Sequence, residues 1–188
     1  KNRFFLNLPW VNSHYSMLIS NSNFMNNNAI NNLLTETLII LRDLIGFKTV
    51  SGENNLEFID YCEKKLKSQG AKTIKTYNNK KIQANLFSTI GEDNGKGIIL
   101  SGHSDVVPAI SSDWTSDPFI ARDSNNKIFG RGTSDMKGFI ACTLAVAPLF
   151  ASEKLRTPIH FSYTFDEETG CLGAPLVLND LKKKNIKA

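Results

Sequence analysis

The sequence predicts an α/β fold, a sheet with helices packed against it. Apolar residues recur at helical spacing in two early segments and again near the C-terminus. Short strand-like runs fall between and after these segments. Alternation of the two element types is the pattern of a sheet covered by helices rather than of a bundle or a sandwich of sheets.

The elements follow in chain order. Residues 1–32 include "SNSNFMNNNAINN", a polar Asn-rich tract expected to be poorly ordered. Over residues 33–46, Leu34, Leu38, Leu41 and Ile45 keep a helix period that Gly46 can end. In "SGENNLEFIDYCEKKLKSQG", Leu56, Ile59, Cys62 and Leu66 line one helical face, and Gly70 closes the segment. Short strands are expected around Thr73–Tyr77 and Ala84–Thr89. "GIIL", Gly97–Leu100, suits a strand covered on both faces. Residues 111–126 read as loop, and "KIFG" as a short strand. Asp135–Ala151 is an apolar helix that Pro148 should end or kink, with Cys142 a small buried hydrophobe. "PIHFSYTF" alternates Ile159, Phe161, Tyr163 and Phe165 with His160, Ser162 and Thr164, a strand period in which His160 is structural. "GAPLVLNDLKKK" reads as a helix that the chain leaves without a stop signal. The first residue is Lys rather than Met, so the chain reads as part of something longer.

Composition narrows the function classes. Net charge is +4, from 22 Lys+Arg against 18 Asp+Glu, and the basic residues are scattered. A nucleic-acid partner is not expected, because binders gather their cations in a stripe or patch. No run approaches the roughly 18 apolar residues of a membrane helix, so no membrane partner is expected either. The cysteines number three, Cys62, Cys142 and Cys171, with no CxxC. That odd set argues against a disulfide framework and fits a reducing, cytoplasmic setting.

Chemistry-bearing side chains fall at three strand exits. His103 and Asp105 follow "GIIL"; Asp135 follows "KIFGRGTS" and opens a helix; Asp166, Glu167 and Glu168 follow "PIHFSYTF". In open α/β sheets, sites gather at the carboxyl ends of strands. Singly, each group has an ordinary explanation: a helix cap, a polar loop, a chance His-x-Asp. Jointly they form a donor set suited to zinc, imidazole with carboxylates. An extended chain points residues i and i+2 the same way, so Asp105 can hydrogen-bond the ring nitrogen that His103 does not offer to metal. Asp135 has two oxygens and can bridge two ions. Of the adjacent Glu167 and Glu168, one can bind metal while the other handles a water proton. CxxC and HExxH motifs are absent, which excludes the commoner zinc classes.

"LSGHSDVVPA", "WTSDPF", "IFGRGTSDMKGFIA" and "FSYTFDEETGCLGAP" together resemble the M20 family of di-zinc metallopeptidases, over roughly Leu33–Asp180. The resemblance implies a zinc-peptidase-like three-layer sandwich with a mixed, mostly parallel sheet. Residues 33–188 would be the N-terminal portion of its catalytic domain, truncated before the lid or dimerisation domain and the C-terminal part. It implies two zinc ions, with cobalt able to substitute. His103 would bind one ion and Asp105 orient it, Asp135 would bridge both, and Glu168 would bind the second. Glu167 would be the general base. A cis peptide is implied at Asp135–Met136. Two further ligands, an acid and a histidine, would lie beyond Ala188, so the 188-residue chain is expected to bind zinc weakly and not to turn over. The implied activity of the full-length parent, a homodimer, is hydrolysis of a small N-acyl amino acid. Its substrate would be N-acetylornithine in arginine biosynthesis, with N-succinyl-diaminopimelate or a dipeptide as alternatives. A non-catalytic relative used for binding is the competing class.

Overall fold

The structure, a computed structural model, describes residues 27–92, 97–184 and 186. Of the Asn-rich leader expected over 1–32, only residues 27–32 are among them, and they are helical.

Helix α1 spans Asn27–Gly46 and α2 spans Leu56–Lys67. Strands β1, Lys72–Tyr77, β2, Ala84–Ile90, and β3, Ile98–His103, follow. A small hairpin pairs β4, Arg122–Ser124, with β5, Lys127–Phe129. A wide turn over Thr133–Lys137 leads into α3, Gly138–Ser152. Strand β6, Ile159–Thr164, and helix α4, Ala174–Lys183, complete the described chain.

The main sheet has the order β1-β2-β6-β3. β1 pairs β2 and β2 pairs β6 antiparallel, while β3 runs parallel to β6. The sheet is therefore mixed as expected, but among the described strands two of the three pairings are antiparallel rather than most being parallel. The cause is connectivity. β1 returns directly to β2, and such a short return makes antiparallel neighbours. β3 reaches β6 through α3, and a helical crossover makes parallel ones.

The two faces of β2 bury different partners. Ala84, Leu86 and Ile90 join the main core with Leu44, Ile45, Phe58, Ile59, Cys62, Leu66, Ile140 and Leu144 from α1–α3. Phe87 faces the other way, onto Val177 and Leu181 of α4. Helices on both faces give three layers. β2 is buried along its whole length and β6 nearly so.

Several local expectations give way to tertiary context. "GIIL" is not covered on both faces: β3 lies at the sheet edge, with Ile98 and Ile99 56% and 40% exposed. Pro148 sits inside α3 without ending it, and the helix runs on to Ser152. Cys142 is exposed, because α3 turns Ile140, Ala141, Leu144 and Ala145 inward instead. Thr133–Ser152 is long and apolar enough by composition to cross a membrane, with mean hydropathy 1.3. Part of that apolar surface, at Ile140, Ala141, Leu144, Ala145 and Ala147, is buried in the main core, while Phe139 and Leu149 are exposed.

A charged cluster ties α2 to β1. Glu63 receives Lys75 at 2.8 Å, Lys67 at 2.9 Å and the Thr73 hydroxyl at 2.7 Å. Burial alone would raise its pKa, but these donors outweigh that and bring it from 4.5 down to about 2. A depressed folded-state pKa means the stabilisation is complete above the ordinary value and is lost as pH falls from about 4.5 toward 2. Glu63→Gln is expected to cost about 1 kcal/mol at pH 7. The gap to the parent should narrow below pH 4.5 and close as pH approaches 2; urea denaturation at pH 7 and near pH 2 checks it.

Candidate metal centre

Parallel pairing of β3 and β6 decides where the site forms. His103 lies in register with Thr164, so both strands end at the same edge. His103 is delivered by one exit and Glu167 and Glu168 by the next, while Asp135 arrives from the crossover turn before α3. The turn contains a cis peptide at Asp135–Met136, as the family resemblance implies.

The five residues singled out in sequence converge. His103 is buried, and its Nε2 lies 3.0 Å from Asp135 Oδ1 and 3.8 Å from Glu167 Oε2. His103, Glu167 and Glu168 each offer a ligand atom, all within 4.8 Å of one another. The Nδ1 of His103 sits 2.9 Å from the main-chain carbonyl of Asp105 and 3.5 Å from its carboxylate. The nearer partner is thus the carbonyl, not the carboxylate that the i, i+2 argument pointed to. The strand ends at His103, so the alternation on which that argument rests stops before Asp105.

The Asp105 carboxylate, 2% exposed, has other work. Its Oδ1 accepts the main-chain N–H of Glu167 at 3.0 Å, and its Oδ2 accepts that of Glu168 at 3.2 Å. The Ser51 hydroxyl donates to Oδ2 at 2.7 Å. Burial would raise the Asp105 pKa, but His103 and these donors hold it below the ordinary carboxylate value.

Buried polar side chains fix the surrounding loops. Asn55 bridges β2 to the β3 exit: its amide accepts from Ala84 N–H and donates to Ala84 carbonyl and Ser104 Oγ. Asn85 accepts from Phe165 N–H and donates to the Gly173 carbonyl, closing the loop between β6 and α4. A side chain at Gly173 would run into Asn85 and the Phe165 backbone, so only glycine allows this approach. Thr49 donates to the Ser104 carbonyl at 2.6 Å. Sequence periodicity gave no sign of Ser51, Asn55, Gln83 or Asn85, because the partners that tie them to the site lie 29 or more residues away. The lone hint was the Ser-Gly turn signal at Ser51–Gly52.

The electrostatics describe an acid cluster built around one imidazole. Burial would lower the His103 pKa, but Asp105 and Asp135 more than reverse this and raise it to about 9. Glu168 is raised above its ordinary value, first by burial and then by Asp135, Glu167 and Asp105, with His103 alone acting to lower it. Nearby Lys137 does not serve the cluster: it is fully buried, donates to the Phe47 carbonyl at 2.6 Å and lies 5.7 Å from the Phe58 ring centre. Burial pulls its pKa down to about 7. Arg131 is turned onto Trp114. His160 packs against Phe87 and hydrogen-bonds Thr89, a structural position as expected.

The donor set fits a divalent cation. Nδ1–H given to a carbonyl leaves Nε2 as the coordinating nitrogen of neutral imidazole, and that nitrogen faces the acids. Carboxylates that raise the pKa of Glu168 are relieved by an ion of opposite charge. A cavity of about 450 Å³ opens beside His103 and Glu167, walled by Phe87, Ile99, Met136 and Val177. Asp105→Ala is expected to lower stability by about 2–3 kcal/mol, because it leaves two main-chain N–H groups unpaired. It should also weaken metal binding about 10- to 100-fold. Thermal unfolding and zinc competition with a chromogenic chelator measure the two effects.

Comparison with known proteins agrees with this geometry. A family model described as Peptidase family M20/M25/M40 matches residues 99–188. The chain is 35% identical over 142 residues to an acetylornithine deacetylase of Buchnera aphidicola, covering 72% of this chain and 37% of that protein. It is 44% identical over 136 residues to a succinyl-diaminopimelate desuccinylase of Rickettsia canadensis, covering 68% of this chain and 35% of the relative. The chain thus spans little more than a third of these relatives. Among solved structures, human carnosine dipeptidase 1 shares the fold with TM-score 0.72 at 22% identity, over 84% of this chain and 37% of that one. The M20 family metallo-carboxypeptidase Sso-CP2 of Sulfolobus solfataricus superposes with TM-score 0.69 at 26% identity, over 81% and 36%. Motifs, fold and relatives converge on one family: residues 99–188 carry a Peptidase family M20/M25/M40 match.

Proposed function

We propose that this chain supplies metal ligands and the general base of a zinc-dependent hydrolase that removes the acetyl group from N-acetylornithine. The observation that carries the hydrolase reading is the gathering of acids from two other segments around His103: Glu167 and Glu168 offer ligand atoms within 4.8 Å of it and of each other, and Asp135 lies 3.0 Å from its Nε2. Similarity to acetylornithine deacetylases of Buchnera, Pectobacterium and Yersinia supports the substrate. The 44% identity to the Rickettsia protein favours a second substrate, N-succinyl-diaminopimelate, cleaved by the same chemistry.

In this mechanism His103, Asp135 and Glu168 would hold zinc, Asp135 offering both of its carboxylate oxygens. Bound zinc supplies Lewis acidity toward the acyl carbonyl and makes water a stronger acid. Glu167 is the more exposed of the paired acids, and its carboxylate is free to meet water and substrate. It takes a proton from the attacking water and delivers it to the amine as the amide C–N bond breaks. Acetate and ornithine leave. Asp105 takes no proton. It keeps His103 in the right tautomer through its carbonyl, and it holds the main chain of Glu167 and Glu168 through its carboxylate. The complete protein draws further ligands from outside these 188 residues, since catalytic zinc normally has three protein ligands per ion.

The test is metal content and hydrolysis by the complete protein beside its Glu167→Gln variant, with both acyl substrates assayed in parallel. The parent is expected to hold about two zinc ions per chain, as a two-metal site requires. The variant should keep them and lose turnover by roughly 100-fold or more. Preference for the succinyl substrate would select the second reading. A parent that binds zinc but cleaves neither substrate would favour a binding role.

A further inference from the structure

The turn that presents Glu167 and Glu168 is held by a second clasp, separate from Asp105. Asp166, the residue before the pair, is 5% exposed and has φ +52, a left-handed conformation that aspartate adopts only where its surroundings support it. Its carboxylate Oδ1 accepts two donors, the main-chain N–H of Gly52 at 2.7 Å and the Gln83 side-chain amide at 2.7 Å. Gln83 is buried at the mouth of β2, and its own carbonyl oxygen accepts from Asn78. Gly52 stands in the loop after α1 with φ +83, which directs its N–H at Asp166. Both donors belong to the N-terminal half of the chain, 114 and 83 residues from Asp166.

Neither clasp can do the work of the other. Asp105 holds the N–H groups of residues 167 and 168, which fixes where the turn lies. Asp166 supplies the backbone twist immediately before them, which fixes how the turn is rotated. In a left-handed residue, release of the side chain lets φ relax toward negative values, and that swings every following Cα–Cβ vector. We propose that Asp166, clasped by Gly52 and Gln83, is a positioning residue that aims the Glu167 and Glu168 carboxylates at His103. The role does not depend on the charge of Asp166. It needs one acceptor oxygen at Oδ1, because both donors converge on that atom.

This inference rests on the metal-hydrolase reading, and the experiment separates the two. The complete protein carrying this chain is titrated with Co²⁺, following its d–d absorption, for the parent and for Asp166→Asn, Asp166→Ala and Gly52→Ala. Asp166→Asn keeps the acceptor oxygen and should bind Co²⁺ within about 3-fold of the parent with the same spectrum. Asp166→Ala should weaken Co²⁺ by about 10-fold or more and change the band shape. Gly52→Ala leaves the fold a fair test, because Gly52 is exposed and a Cβ there meets open space, while its φ becomes strained. It should shift affinity and spectrum in the same direction as Asp166→Ala. Parent-like Co²⁺ binding by Asp166→Ala and Gly52→Ala would overturn the proposal. Loss in Asp166→Asn equal to that in Asp166→Ala would overturn it too, by showing that charge rather than aim matters. A parent that binds no Co²⁺ overturns the metal reading itself.

Discussion

The site depends on one buried carboxylate. Asp105 lies between the exits of two parallel strands, where main-chain N–H groups have no ladder partner left. A charge so far from water is stable only when it is fully hydrogen-bonded. Two successive main-chain N–H groups and a hydroxyl meet that requirement, and their number is enough to keep the group ionised. The bonding works in both directions. The donors stabilise the carboxylate, and the carboxylate fixes the distance between the β3 and β6 exits. Since His103 is two residues upstream on the same segment, this anchor sets how far the turn carrying the acids lies from the imidazole.

Around it the protein uses amides where a helix or strand cannot reach. Asn55 and Asn85 each satisfy a main-chain donor and a main-chain acceptor, so each acts as a short piece of missing ladder. Gln83 closes the same shell by linking Asn78 to Asp166. Such networks are rigid when complete and costly when one member is lost. Three of the site's supporting side chains, Ser51, Asn55 and Gln83, come from the segment before β3. The metal-facing residues come from β3 onward. The portion before β3 therefore helps Asp105 and Asp166 set the geometry of the portion that carries the chemistry.

This division explains what was legible in sequence. Helices α1, α2 and α4 and strands β2 and β6 follow from local period, because each buries a face whose pattern is written in consecutive residues. His103, Asp105, Asp135, Glu167 and Glu168 were visible because strand exits can be recognised locally and the residue types are unusual there. What local pattern could not carry is pairing. It did not show that β1, β2 and β6 run antiparallel, or that β3 stands at an edge with Ile98 and Ile99 uncovered. Pro148 failed as a stop signal because the helix around it is held by core packing at Ile140, Ala141, Leu144 and Ala145. Asp105 was identified, but its carboxylate was assigned to His103 rather than to the Glu167–Glu168 turn. Only the folded register brings that turn within reach.

The acid cluster also explains why a positive charge must be supplied from outside. Lys137 is close in sequence to Asp135, yet its ammonium is committed to the Phe47 carbonyl and packed near the Phe58 ring, with its pKa reduced by burial. It anchors the C-terminal end of α1 and leaves the acids without its charge. Among the causes acting on Glu168, His103 is the one that favours ionisation. Protonated imidazole is then the internal counter-charge of the cluster, held by the same Nε2 that would coordinate metal. A divalent ion held here would take the place of that proton and offset the charge of the acids, so its binding would be coupled to proton release. The same carboxylates that destabilise one another without an ion become its ligands. That is a physical reason to find them together on a surface that Lys137 could otherwise have neutralised.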